Sequence, residues 1–143
     1  YPSPQQYQLP QRKTNDMSCV LKVTAAGARM LLTSDIEAPA EMFLLAEHRA
    51  QLPAEVLTVP HHGSRTSSTA EFVAAVGATT AIFPVGYRNR FGHPKADVVE
   101  RYRLSGADLR RTDVDGALRV RLGEGGATLS GQRAAQPRYW YGR

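Results

Sequence analysis

The order of apolar and polar positions along the chain predicts strands that alternate with helices. Short apolar runs predict strands at residues 19–23, 29–33, 55–59 and 79–85. Apolar residues that alternate with arginines predict a half-exposed strand at residues 117–122, and further short strands are predicted at residues 108–112 and 127–131. Longer segments with apolar residues on one side predict helices at residues 39–52, 68–76 and 94–105. Strands that alternate with helices indicate an α/β fold in which helices cover a sheet.

Turn and capping residues predict where these elements meet. Residues 25–28 contain a glycine and predict a hairpin between the first two strands. Ser68 and Glu71 have the spacing of a capping box, so we expect Ser68 to cap the second helix. The dipeptide Asp115-Gly116 is typical of tight turns and predicts a hairpin between the strands on either side of it.

Composition sets limits on this architecture. The chain has 143 residues, 42% of them hydrophobic and 22% charged, which suits one globular domain with a core. We expect residues 1–14 to be a linker, residues 15–131 to form the domain, and residues 132–143 to form a basic aromatic tail. The apolar runs are too short to cross a bilayer, so no direct membrane insertion is expected. The single cysteine, Cys19, lies in an apolar run and is expected to be buried.

The charge balance favours an anionic partner. Lysine and arginine residues number 18 against 13 aspartate and glutamate residues, which gives a formal net charge of +5. All but three of the cations are arginines, whose planar guanidinium groups suit two-point contacts with phosphate. The surplus is consistent with a nucleic-acid partner, although a GC-rich source is an equally good explanation for so many arginines.

Polar side chains follow three of the predicted strands. Asp35 follows the second strand, His61 and His62 follow the third, and His93 follows the next strand along the chain. Because such loops gather at one edge of an α/β sheet, we expect these side chains to converge. A carboxylate with imidazoles suits zinc, manganese or iron, as in a two-metal hydrolase. The alternatives are that Asp35 caps the helix that follows it and that the histidines belong to an ordinary polar loop.

Five segments together resemble the metallo-β-lactamase-like domain of the ComEC family of competence proteins. They are residues 15–18 (NDMS), 31–37 (LLTSDIE), 60–69 (PHHGSRTSST), 86–94 (GYRNRFGHP) and 112–116 (TDVDG). The resemblance implies an α/β fold that is half of a metallo-β-lactamase-type αββα sandwich, with a mixed β-sheet and flanking helices. In that family the domain follows a polytopic inner-membrane channel that imports single-stranded DNA during natural transformation. The domain looks like a nuclease that degrades the strand that is not imported.

The resemblance also implies roles for individual residues. Asp35 matches the bridging aspartate of the superfamily and would serve both metal binding and catalysis. His62 matches a late metal-binding histidine. His61 and His93 would act at the site as auxiliary ligands or as proton donors to a leaving oxygen. The side chains expected to hold flanking phosphates are Ser64, Arg65, Arg88 and Arg90.

The chain departs from the superfamily pattern in ways that bear on metal binding. It contains no His-x-His-x-Asp-His segment, which we expect upstream of Tyr1, so that this chain resembles the C-terminal half of the domain. Asn15 and Asp16 stand where many members have a histidine, and Ser34 stands where glycine is usual. We therefore expect the intact domain to bind divalent metal, zinc or manganese, as one or two ions. This chain alone is expected to bind metal weakly or not at all and to be nearly inactive.

Two functions of different classes follow. The first is a metal-dependent nuclease domain of a ComEC-type DNA-uptake protein, and the second is a non-catalytic module that guides DNA through phosphate contacts. A hydrolase for a small ester or lactam is less favoured, because the arginines suit phosphates better. The expected partners are DNA, the upstream half of the domain, the membrane channel and a second copy of the chain that covers an open face. The expected location is a soluble domain of a bacterial inner-membrane protein, on either side of the membrane.

Overall fold

In the computed structural model, which describes residues 14–138, the chain forms a five-stranded sheet, a separate two-stranded hairpin and five helices. The strands are β1 (Leu21–Ala25), β2 (Ala28–Leu32), β3 (Val56–Thr58), β4 (Thr80–Phe83), β5 (Asp108–Arg111), β6 (Leu118–Gly123) and β7 (Gly126–Gly131). The helices are α1 (Ala38–Glu47), α2 (Ala70–Val76), α3 (Ala96–Leu104), α4 (Thr112–Asp115) and α5 (Gln132–Ala135). Short 3-10 turns lie at Thr14–Met17 and Arg49–Gln51, and a turn with a left-handed backbone lies at Pro60–Gly63.

The larger sheet is mixed, with its strands in the order β1-β2-β3-β4-β5. β1 pairs antiparallel with β2, and every other neighbouring pair is parallel. Leu31, Leu57, Ala81 and Leu109 pair with one another in register across four strands. Because alternate residues of a strand point to the same face, this row forms one apolar surface of the sheet.

The three longer helices cover that apolar surface. The buried core that they share with the sheet includes Ala40 and Leu44 of α1, Phe72 and Val76 of α2, and Tyr102 of α3. β6 and β7 form the separate hairpin, which contacts β1 and β2. The prediction of an α/β fold with a mixed sheet and flanking helices is confirmed, and the architecture is consistent with half of an αββα sandwich.

The predicted hairpin at Asp115 and Gly116 is wrong. The two residues end the short helix α4, which separates β5 of the larger sheet from β6 of the hairpin. The carboxylate of Asp115 accepts a hydrogen bond from the backbone N–H of Arg111 at 2.9 Å and so closes a helical turn. The hydroxyl of Thr112 donates to the carbonyl of Val85 at 2.7 Å and ties α4 to the loop after β4.

The cap of the second helix lies one residue later than predicted, at Thr69, and the helix begins at Ala70. The hydroxyl oxygen of Thr69 accepts a hydrogen bond from the backbone N–H of Phe72 at 3.3 Å. Ser68 has a left-handed backbone, with a φ of 60°, and its hydroxyl oxygen accepts a hydrogen bond from the Tyr102 hydroxyl at 3.1 Å. The prediction that Ser68 caps the helix is therefore wrong.

Two smaller expectations also fail. The first helix ends at Glu47, because the backbone of His48 leaves the helical conformation and a 3-10 turn follows it. Cys19 is exposed, since it precedes β1, an edge strand whose residues mostly face solvent.

Residues 1–13 and 139–143 lie outside the described residues, as does the side chain of Asp16. The division into a linker, a domain from residue 15 to 131 and a tail therefore stays a prediction, although α5 forms within the expected tail. Within residues 14–138, none of the helices has the length and apolar character that a bilayer span requires.

Candidate functional site

The loop after β3 carries the two adjacent histidines in an unusual backbone conformation. His61, His62 and Gly63 have φ angles of 49°, 56° and 79°, so three consecutive residues are left-handed. A left-handed residue other than glycine costs about 1 kcal/mol or more and persists only where its surroundings fix it. Here the backbone N–H of His61 donates to the carbonyl of Ser34 at 3.0 Å, and that of Lys95 donates to the carbonyl of Gly63 at 3.0 Å. Ser34 has a φ of 49°, which explains why glycine suits its position.

We call residues 59–69, which follow β3, the histidine loop. Gly63 lets this loop approach the loop after β4. A Cβ atom on Gly63 would lie 2.8 Å from the Cβ of Pro94 and 3.1 Å from the ring of Phe83. The close approach brings the rings of His61 and His93 to a centroid distance of 6.0 Å. The expected convergence of these loops is therefore found.

His62 and Asp35 form an open pair with a defined ring orientation. The Nδ1 of His62 lies 2.6 Å from the carbonyl of Pro84 and its Nε2 lies 3.3 Å from a carboxylate oxygen of Asp35. Because a carbonyl only accepts, Nδ1 carries the proton, and the Nε2 of a neutral ring then turns a lone pair towards the carboxylate. Two acceptors at this distance need a shared cation, either a proton or a metal ion. A backbone carbonyl that orients the ring in this way is a common support for a metal-binding histidine.

His61 is held by a different and more buried set of groups. Its Nδ1 lies 3.2 Å from the hydroxyl of Thr66 and 3.5 Å from the carboxylate of Glu37. The side-chain amide of Asn15 donates to Glu37 at 3.1 Å and lies 3.5 Å from the Nε2 of His61. Both ring nitrogens of His61 therefore face protein groups, whereas the Nε2 of His62 faces Asp35 in a half-exposed setting.

Glu37 and Asn15 were missed as site residues by sequence reasoning. Both lie in segments that carry the family resemblance, two residues after Asp35 and at the start of the NDMS segment. That placement is the signal that could have identified them.

His93 is positioned by Asn89. The side-chain amide of Asn89 donates to the carbonyl of His93 at 2.7 Å, and its oxygen accepts from the backbone N–H of His93 at 2.9 Å. Among buried side-chain nitrogens and oxygens of residues 14–138, the Nδ1 of His93 stands alone in having no hydrogen-bond partner. Burial, followed by the charge of Lys95 and the electrostatic effect of the neighbouring imidazoles of His61 and His62, lowers the pKa of His93. The ring is therefore expected to be neutral near pH 7.

Two of the predicted phosphate-binding residues already have protein partners. Ser64 is buried, and its hydroxyl lies 3.1 Å from that of Thr66. The Nε of Arg65 donates to the carboxylate of Asp97 at 3.0 Å on the surface. The Asp97 charge therefore offsets part of the charge that Arg65 offers to a phosphate.

The other two predicted phosphate-binding residues are exposed in the loop after β4. The guanidinium carbon of Arg88 lies 5.2 Å from the ring centre of Tyr87, and that of Arg90 lies 5.0 Å from the ring centre of Phe91. Among the described residues, neither arginine forms an ion pair with a carboxylate. Their charges therefore remain available to an anion.

The donor set for a metal ion is incomplete within the part of the chain that the structure describes. No group of three or more His, Cys, Asp and Glu side chains in residues 14–138 is arranged to hold a metal. The pair of Asp35 and His62 offers one carboxylate oxygen and one oriented imidazole, which are donor types that zinc and manganese accept. The residues present therefore fit one side of a metal site.

A buried network anchors the far end of the histidine loop to two helices. The carboxylate of Glu41, fully buried in α1, accepts hydrogen bonds from the backbone N–H groups of Ser68 and Thr69, the latter at 2.8 Å. The guanidinium of Arg101 donates to the carbonyl of Ser68, whose hydroxyl accepts from Tyr102. Burial raises the pKa of Glu41 despite these donors. The sequence pattern places this residue only within the predicted helix at residues 39–52.

The fold and this edge of the sheet define an α/β domain with an aspartate–histidine pair, in which a backbone carbonyl orients the histidine ring. No protein-family model matches the chain. The chain is 43% identical over 112 residues to the competence protein ComA of Neisseria gonorrhoeae and 33% identical over 107 residues to ComE operon protein 3 of Bacillus subtilis. It is also 36% identical over 129 residues to the uncharacterized protein YcaI of Escherichia coli K12.

These matches cover 78%, 75% and 90% of this chain, but only 16%, 14% and 17% of the respective relatives. The chain thus spans about one sixth of the length of the curated relatives it matches. The similarities relate the chain to a segment of longer proteins, one of which is named a competence protein.

Proposed function

We propose that this chain is part of a ComEC-type DNA-uptake protein that acts in natural transformation, and that it supplies one wall of a metal-dependent nuclease site. The observation that carries the proposal is the orientation of His62. Its Nδ1 lies 2.6 Å from the Pro84 carbonyl while its Nε2 faces the Asp35 carboxylate at 3.3 Å. An aspartate–histidine edge preset for a cation is what a metal-assisted phosphodiester hydrolase needs.

In this proposal Asp35 and His62 hold zinc or manganese, and the remaining ligands come from the upstream half of the same domain. The bound ion would supply Lewis acidity towards the phosphodiester and a lowered pKa for the attacking water. Asp35 takes part in both metal binding and catalysis. His61 keeps the loop in register through Glu37 and Asn15, since both of its ring nitrogens face protein groups.

His93 is assigned to the reacting side of the site. Because its pKa is lowered, its ring is better suited to accept a proton or to act as an auxiliary ligand than to donate a proton near pH 7. The buried Nδ1 has no hydrogen-bond partner among the described residues, so no protein group fixes the protonation of the ring at that atom.

Arg88 and Arg90 are proposed to hold phosphates of the DNA strand on either side of the cleaved bond. Their exposure and the lack of carboxylate partners among the described residues support this role. Arg65 and Ser64 contribute less in this proposal, because Asp97 and Thr66 already occupy their polar groups.

A non-catalytic DNA-guiding module is the second candidate. The observation that favours it is the lack of a cluster of three donors in residues 14–138. It predicts binding that weakens steeply with salt and needs no metal. In either case the proposed partners are DNA, the upstream half of the domain, the membrane channel of a bacterial inner-membrane protein and a second copy of the chain.

The test is to join the chain to the upstream segment of its parent protein and to measure cleavage of single- and double-stranded DNA with manganese or zinc. Asp35→Ala is expected to lower the cleavage rate by about 100-fold, as loss of a metal ligand or its support does. Asp108→Ala serves as the matched control. Asp108 is the first residue of β5, at the end of the sheet away from the histidine loop, and its carboxylate contacts Arg110. The nuclease proposal fails if no cleavage occurs or if Asp35→Ala cleaves as fast as the control.

A further inference from the structure

Two large aromatic side chains stand exposed in one loop beside the candidate site. Tyr87 and Phe91 are 63% and 62% exposed and lie in residues 86–94, which we call the aromatic loop. By contrast, the rings of Phe72 and Phe83 are buried in the core. Burial is the more common environment for a phenylalanine, because an exposed ring leaves apolar surface in water. The aromatic loop therefore presents a surface suited to a ligand with flat apolar faces.

Each exposed ring carries a positive charge close to its face. Arg88 lies over Tyr87 at 5.2 Å, and Arg90 lies over Phe91 at 5.0 Å. The ring of His93 is stacked with the ring of Phe91, at a centroid distance of 6.1 Å and an interplanar angle of 19°. Flat rings and guanidinium groups thus lie close together along the loop up to the candidate site.

The loop is held in place before any ligand binds. Asn89 makes two hydrogen bonds to the backbone of His93, and the Lys95 ammonium donates to the carbonyl of Phe91 at 2.8 Å. The backbone N–H of Gly92 donates to the carbonyl of Asn89 at 3.2 Å. A fixed loop loses little conformational entropy on binding, so the exposed rings are available at low cost.

The charge of the loop identifies the kind of ligand. Residues 86–95 contain Arg88, Arg90 and Lys95 and no acidic residue. An apolar protein partner would leave these cations unpaired, whereas a nucleic-acid strand offers phosphates to the cations and bases to the rings. In a duplex the bases are already stacked on one another, so only an unpaired strand offers its base faces.

We infer that Tyr87 and Phe91 form a stacking platform for the bases of single-stranded DNA, with Arg88 and Arg90 on its phosphates. The inference rests on the proposed function, in which DNA is the substrate, and it narrows that substrate to an unpaired strand next to His93. The platform delivers the strand to the site and does not itself take part in bond cleavage.

The test compares three oligonucleotides of about 12 nucleotides, a length that such sites cover, by fluorescence anisotropy with this chain at low salt. One is single-stranded, one is the duplex, and one is an abasic strand with the same phosphates but no bases. The chain is expected to bind the single strand at least about fivefold more tightly than the abasic strand. The duplex is expected to bind less tightly than the single strand, although its phosphates are more densely spaced, because its bases are not available for stacking.

The double variant Tyr87→Leu/Phe91→Leu is expected to bind the single strand and the abasic strand equally, and both about as tightly as the parent chain binds the abasic strand. An unchanged urea-denaturation midpoint shows that this variant is folded as the parent chain is. Met42→Ala is the control, because Met42 is an equally exposed apolar residue, at 66%, on α1.

Equal binding of single and abasic strands by the parent chain, a preference for the duplex, or no binding of any strand would each overturn the inference. So would a double variant that keeps the preference for bases. The nuclease proposal fails separately, through cleavage that does not depend on Asp35, since the binding ratio needs no metal.

Discussion

Two loops at the same edge of the sheet use their polar residues in opposite ways. The polar groups of the histidine loop after β3 mostly contact other parts of the protein, at Ser34, Glu37, Glu41 and Pro84. The aromatic loop after β4 fixes only its backbone, through Asn89, and leaves its rings and guanidinium groups in solvent. The first loop holds a fixed geometry, and we propose that the second binds a ligand. Changes in the first should therefore reduce stability, and changes in the second should reduce DNA binding.

The largest effect is expected from Gly63→Ala. The new Cβ would meet Pro94 at 2.8 Å, in addition to the strain of a φ of 79°, so the free energy of unfolding should fall by about 3 kcal/mol or more. Gly27→Ala is the matched control, because Gly27 has a φ of 84° but open space around its Cβ position. Its expected cost is about 1 kcal/mol. Urea denaturation of both variants measures the difference, and equal losses would show that the close approach of the two loops is not required.

The next effect concerns the anchor of the histidine loop. Glu41→Ala leaves the N–H groups of Ser68 and Thr69 without their acceptor in a buried setting, so the free energy of unfolding should fall by about 2 kcal/mol. Urea denaturation with unchanged DNA affinity would support the division between the loops. A loss of stability below about 0.5 kcal/mol would contradict the anchoring role.

The same carboxyl group has a defined sign of pH dependence. Burial raises the pKa of Glu41 in the folded state. Its contribution to the free energy of unfolding is therefore fully present below the usual carboxyl pKa and is lost as the pH rises through the pKa of the folded state. Glu55 behaves oppositely, because hydrogen bonds from Arg29 lower its pKa to about 2. Its contribution is full above the usual carboxyl pKa and is lost as the pH falls towards about 2. Unfolding curves between pH 2 and 8 for Glu41→Gln and Glu55→Gln should therefore deviate from the parent in opposite pH ranges.

A smaller effect on stability and a clearer one on binding are expected from Asn89→Ala. The variant loses two hydrogen bonds to the backbone of His93, which should cost about 1 kcal/mol of stability. A looser aromatic loop must be ordered on binding, so the affinity for single-stranded DNA should fall by about threefold. Anisotropy and urea denaturation on the same samples measure both. Unchanged affinity would show that the loop need not be fixed in advance.

The smallest effect is expected from single arginine changes. Arg88→Gln or Arg90→Gln should each reduce the slope of log affinity against log salt for DNA by about 1, since one phosphate contact is lost. Arg65→Gln is the comparison, because Asp97 already pairs with Arg65 and the slope should change less. A larger change for Arg65 than for Arg88 would reverse the assignment of phosphate contacts.

Much of the framework could be predicted from the sequence because it depends on local patterns. The apolar row of Leu31, Leu57, Ala81 and Leu109 lies in runs whose composition indicates strands, and polar residues follow those runs directly. The convergence of histidines at one edge follows from that order alone.

The remainder depends on partners that are distant in sequence. Thr69 caps α2 in place of Ser68 because the Ser68 hydroxyl is bonded by Tyr102, 34 residues away. Asp115 closes a helical turn because its carboxylate accepts from Arg111, an alternative that the turn dipeptide does not reveal.

The two histidines are adjacent in the sequence, and the positions of Pro84 and Glu37, which are distant from them in the sequence, distinguish their surroundings. His62 faces Asp35 because Pro84 fixes its Nδ1, whereas His61 lies among the polar groups of the protein.

The most direct test of this account is nitrogen-15 NMR of the histidine side chains, in the chain joined to the upstream segment of its parent protein, during a zinc titration. We expect His62 to show a protonated Nδ1 and a zinc-dependent shift at Nε2, with the Nε2 of His61 unchanged. Asp35→Ala should reduce the zinc effect on His62. A zinc response at His61 instead of His62, no response at either ring, or a response independent of Asp35 would contradict the account.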